Sequence, residues 1–223
     1  DADAREEVRE RIRRLIDQIE QAEKNRRLII ALLEIQASMG DEIDAAAAQD
    51  FKGTNDRYLE AFQDYGADLF ALSPEDGAEL LRRLGNDVRV ELAAAIDDWV
   101  YVRGVLSILT GENRDDPARL FQVTRLLDPD PVRNQIREIV VTRDAEALNQ
   151  LAKKIAPAKQ PVQTVNLVAV YLNGLQDLGG REAVEFLRQA QPHHPDDFQI
   201  NHNLAYFLIG DRGADERSVD PFA

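Results

Sequence analysis

Apolar residues recur three and four positions apart along almost the whole chain, and no segment alternates with the two-residue period of a strand. In residues 4 to 37, Val8, Ile12, Leu15, Ile19, Ala22, Ile29 and Leu33 fall on a and d heptad positions, with Arg26 interrupting the seam. Glu7 with Arg11 and Glu10 with Arg14 add i,i+4 pairs in the favourable order. This predicts one long helix, whose stripe either packs on its own domain or joins a second copy as a coiled-coil dimer. A second helix is expected over residues 42 to 51 and ends at Gly53. A third then starts with Thr54 or Asn55 as cap and presents Tyr58, Leu59, Phe62 and Tyr65.

Later starts are written in the turn chemistry. "SPED" at Ser73 to Asp76 combines a serine cap, a proline at the first helical position and acids at the positive dipole end. Asp116-Pro117 and Asp130-Pro131 repeat the device. Before them, Leu92, Ala95, Ile96, Trp99, Val102 and Leu106 mark a helix from Asn86 to about Thr110. Val132, Ile136, Ile139 and Val140 mark the next, and Leu148, Leu151, Ala152 and Ile155 another. "VQTVNLVAVYLNGL" is apolar nearly all round, as a central buried helix is. Helix, short turn and helix, many times over, means an all-α array.

The last third sharpens this. In "GGREAVEFLRQAQPHHPDDFQINHNLAYFLIG", Ala183, Leu187, Ala190 and Pro195 resemble the small, large, small and closing-proline positions of the second helix of a tetratricopeptide repeat. Leu204-Ala205 takes the place of that repeat's Leu-Gly pair on the following helix, which Asp196 or Asp197 caps and which Ile200, Phe207 and Leu208 finish. The resemblance implies a tetratricopeptide-like α-solenoid of antiparallel helix pairs, with residues 1–39 as a long connecting helix and 40–223 as the repeat domain.

The same stretch holds every histidine: His193, His194 and His202. A helical zinc site wants histidines at i and i+4 and a third ligand brought by the fold. His193 and His194 are adjacent, so their side chains diverge, and the joint between two helices is the better reading; a metal-dependent hydrolase on these three is the alternative. Asp97 and Asp98 beside Trp99 read as an anchoring tryptophan with one solvated acid. Asp128-Pro129-Asp130-Pro131 has the wrong prolines for a calcium loop. Asn203 stands where peptide-binding tetratricopeptide domains hold a ligand's main chain, and is the candidate ligand-binding residue. No catalytic, cofactor or metal residue is assigned, and no cofactor is expected.

Composition narrows the partners. Of 223 residues, 41 are acidic and 27 basic, a net charge of −14. That disfavours nucleic acid and anionic membrane surfaces, and favours a basic or neutral protein or peptide. With no cysteine, disulfides and thiolate chemistry are excluded. No run approaches the roughly 20 apolar residues that span a bilayer. Starting at Asp1 inside a charged helical pattern, the chain reads as a piece of a longer protein.

"RYLEAFQDYGADLFAL", "ELAAAIDDWVYVR", "LLDPDPVRNQIRE" and "AVEFLRQAQPHHPDDFQINHNLAYFL", in this order, resemble the helical tail behind the catalytic domain of large bacterial eukaryotic-like serine/threonine protein kinases. The kinase signatures H-R-D, D-F-G and the glycine loop are absent from this chain. The resemblance therefore implies a non-catalytic sensor, scaffold or docking segment.

Overall fold

The computed structural model describes residues 2–38, 47–111, 117–174 and 180–218, with side chains described over 5–37, 50–111, 118–174 and 180–208. Among them every regular element is helical: α1 (Ala2–Ser38), α2 (Ala47–Tyr65), α3 (Pro74–Arg82), α4 (Arg89–Thr110), α5 (Pro117–Leu127), α6 (Pro131–Thr142), α7 (Ala145–Lys154), α8 (Val162–Gly174), α9 (Arg181–Ala190) and α10 (Phe198–Ser218). Two short 3₁₀ turns lie at Pro157–Lys159 and Gln191–His193. None of these helices is long and apolar enough to cross a membrane.

The capped starts form as their chemistry dictates. Ser73 accepts from the Asp76 N–H at 3.1 Å while its hydroxyl donates to the Asp76 carboxylate at 2.7 Å. Asp130 accepts from the Arg133 N–H at 2.8 Å, with Pro131 opening the helix. Asp144 caps α7 in the same way. Residues 42 to 46 of the expected second helix, and Asp116, lie outside the described residues.

Two expectations fail. The chain does not break at Gly53: α2 runs through it as one helix, and Asn55 caps nothing. Asn55 is buried and accepts from the Trp99 indole N–H and from Arg103, both at 3.1 Å. A mid-helix glycine costs only about 1 kcal/mol relative to alanine. That is small beside the burial of Tyr58 and Phe62 one and two turns later. Both rings stack on Trp99, at 5.8 and 5.5 Å between centroids, and Phe70 meets the indole edge-on at 5.3 Å. Arg103 caps this aromatic cluster, 4.5 Å above the Phe70 ring.

The second is the alternative in which the seam of α1 packs on its own domain. The residues that α1 buries are Leu28, Leu32 and Ile35, all in the last third of the helix. They pack into one core with α2 and α4, so α1 is continuous with the body there. The heptad stripe is rotated away from that face, and Val8, Ile12, Leu15, Ile19 and Leu33 are exposed. Two apolar stripes share one helix, and the shorter one is anchored by Gln21 and Asn25 reaching the Tyr65 hydroxyl.

Helix α8 occupies the centre of the second half, touching α4, α6, α7, α9 and α10. That explains why its sequence is apolar on nearly every side. Ala183, Leu187 and Ala190 of α9 are fully buried; alanines at both ends let the neighbouring helices close in.

Candidate protein-binding surface

The histidine stretch folds as a joint. Gln191–His193 form a 3₁₀ turn, His194 follows in the bend, and Asp197 accepts from the Ile200 N–H at 2.8 Å to start α10. Asn201 ties the turn down by donating to the carbonyls of Pro195 and Asp197, each at 2.8 Å. His202 is one turn into α10 and lies flat between two rings, 5.6 Å from Phe198 and 6.4 Å from Tyr206. The three histidines do not converge, and no group of three histidine or acidic side chains among the described residues is placed to hold a metal ion.

Phe198, His202 and Tyr206 stand at i, i+4 and i+8, so the rings form a row along one side of α10. Phe198 is 61% exposed and Tyr206 41% exposed. Neither is a core position in the helical pattern, although an aromatic residue every four positions is legible; the opposite side, Ile200 and Phe207, is the one the core takes.

Asn203 lies beside this row. Its amide donates to the Asn166 side-chain oxygen at 3.3 Å, and Asn166 donates in turn to Gln199 at 3.1 Å. The candidate residue is therefore part of an amide ladder joining α8 to α10. Such a ladder can trade a side-chain partner for a ligand's main chain, because amides both donate and accept. Rings beside it can take apolar or cationic side chains on their faces.

The acid pair at Asp97 and Asp98 is arranged differently from the expectation of one free acid. Asp97 is buried and takes three hydrogen bonds from Arg137, at 2.8 to 3.2 Å. Arg137 also donates to the Asp128 carboxylate at 3.0 Å and to Asn134 at 2.8 Å. Arg133 forks onto Asp128 at 2.5 and 2.6 Å and reaches Thr164 at 3.0 Å. Two acids and two bases thus cancel inside the protein, joining α4, the end of α5, α6 and α8. Sequence reasoning missed this network; its only local sign is the i,i+4 pair Arg133 and Arg137 on an otherwise apolar face.

Burial sets the protonation of the acids. It pushes the Asp97 carboxyl up to about 6, against the pull of Arg137. Asp128 is also desolvated, but the two guanidiniums outweigh that and hold it below the ordinary range. Asp98 is half-buried as a residue and accepts from Gln36 of α1 at 2.5 Å. Burial raises it to about 7, with Gln36 opposing and the neighbouring Asp97 charge adding. Asp97 is locked by Arg137 of α6 and Asp98 faces Gln36 of α1, so the pair ties α4 to both helices.

On α10 the exposed rings of Phe198 and Tyr206 thus lie beside the amides of Asn203, Asn166 and Gln199. Comparison with protein-family models, with curated proteins and with solved structures finds no match to this chain.

Proposed function

We propose that this chain is a non-catalytic helical scaffold that binds a protein or peptide segment along α10, and that it serves as the sensor or docking part of a bacterial serine/threonine kinase. In this reading α8, α9 and α10 belong to a tetratricopeptide-like solenoid of antiparallel pairs. Its ligand lies on the face bearing Phe198, His202, Tyr206 and Asn203. The observation that carries the reading is the exposed aromatic row with an amide ladder at its side. A net charge of −14 makes a basic or neutral segment the suitable ligand, held less tightly as salt rises. The kinase association rests on the order of sequence motifs alone.

Selection of random displayed peptides on this chain tests the binding. Enriched peptides carrying lysine or arginine, whose affinity drops at least about tenfold on Phe198→Ala with Tyr206→Ala, are expected; a loss of 1.4 kcal/mol corresponds to that factor. No enrichment, or equal affinity for the doubly substituted chain with its thermal unfolding unchanged, overturns it.

A further inference from the structure

We propose that residues 5 to 24 of α1 form an arm that pairs antiparallel with the same arm of a second copy of this chain. Every residue from 5 to 22 is exposed. Along that stretch Val8, Ile12, Leu15, Ile16 and Ile19 are 48 to 68% exposed. An unsupported helical segment of this length and charge is marginal in water, so its apolar stripe calls for a covering surface.

Charge identifies the cover. The whole chain carries −14, yet residues 5 to 24 hold six bases and six acids. Two arms therefore meet without net repulsion, and the distribution of charge along each arm selects the partner. The charge is also ordered along the arm: residues 5 to 14 hold five bases and three acids, and residues 15 to 24 hold three acids and one base. An antiparallel pair sets the basic half of one arm against the acidic half of the other, whereas a parallel pair stacks like on like.

The heptad gives the register. Ile12 and Ile19 are a positions, Val8 and Leu15 are d positions, and Arg9, Ile16 and Glu23 all fall on e. In an antiparallel pair e positions face e positions across the seam. Centred on residue 16, Ile16 meets its own copy at the two-fold axis, and Arg9 reaches Glu23 of the second copy on both sides. Leu15 then packs on Ile19 of the second copy, and Ile12 on its small Ala22. This accounts for Ile16, an isoleucine off the seam that a parallel pair would leave beside Arg11. Such a closed two-fold contact uses the same patch on both chains.

Sedimentation equilibrium tests the pairing. The chain is expected at twice its 25.1 kDa mass. Ile12→Glu with Ile19→Glu should give a monomer whose body unfolds at the same temperature. Arg9→Glu should weaken the dimer, and Arg9→Glu with Glu23→Arg should restore it. Because the chain has no cysteine, Arg5→Cys takes a single spin label. Antiparallel arms centred on residue 16 hold the two labels about 33 Å apart along the axis, at about 1.5 Å per residue; parallel arms hold them side by side. A monomeric unsubstituted chain, a dimer indifferent to Arg9→Glu, or labels side by side overturns the proposal.

Discussion

The charges of α1 and those between α4 and α8 solve the same problem in opposite ways. On α1 they pair with near neighbours: Arg9 with Glu6 at 3.2 Å, and Arg26 with Glu23 at 3.0 Å, all well exposed. In the body, Arg137 and Arg133 are buried and share Asp128 just before α6, and Arg137 also takes Asp97, 40 positions away on α4. An exposed pair gains little, because water screens it and two long side chains lose freedom. A buried pair gains little over a well-packed apolar one, but breaking it strands a desolvated charge. The first kind is dispensable to folding and the second is not.

Arg137→Ala is the strongest way to break that comparison. It leaves Asp97 without its guanidinium and removes one of two from Asp128, so a loss of about 3–5 kcal/mol is expected in urea unfolding. Arg26→Ala, its exposed counterpart, should stay within about 0.5 kcal/mol. Equal losses would mean that the buried network contributes nothing specific.

Asp98→Asn sharpens the comparison at the junction of the two regions, where α1 meets α4 through Gln36. A carboxyl that binds its proton more tightly in the folded chain than in the unfolded one makes the fold less stable as pH rises between the two pKa values. For Asp98 that window runs from about 4, the ordinary value, to about 7. Asparagine keeps the oxygen that accepts from Gln36 and removes the titration. The substitution should therefore help little at pH 4 and progressively more toward pH 7, by at most about 1.4 kcal/mol for each unit crossed. Urea midpoints across this window read the effect; parallel curves for the two chains would show that folding leaves the Asp98 carboxyl at its ordinary value. Asp97, at about 6, adds a slope of the same sign that Asp98→Asn leaves in place.

How much of this was legible in the sequence follows the same division. Helix starts at Ser73 and Asp130 could be read because a cap is made within four residues. The burial of α8 could be read because its composition is apolar all round. The histidine joint was legible from adjacency and Pro195. The Asp97–Arg137–Asp128–Arg133 network was not, because nothing in a linear pattern says that positions 97 and 137 meet. Nor could the sequence choose between the two stripes of α1: both have helical spacing, and only the placement of α2 selects Leu28, Leu32 and Ile35. Asn203 was found by position, but its partner Asn166 required the packing of α10 on α8. Phe198 and Tyr206 were legible as a spacing and were overlooked because their neighbours Ile200 and Phe207 already supplied a core face.

Gly53 gives the smallest test and addresses the expectation that failed there. Tertiary packing carries α2 through the glycine, so the residue's intrinsic cost persists in the folded chain as a small uncompensated term. Its position is exposed, and a methyl group built there would meet nothing within 4 Å. Gly53→Ala should therefore stabilise by about 0.4–1 kcal/mol, partly by narrowing the unfolded ensemble. In a chain of this size that raises the unfolding temperature by roughly 1–4 °C. A decrease would mean that the helix does not run continuously through residue 53. The burial of Asn55 against Trp99 and Arg103, which depends on that continuity, would fall with it.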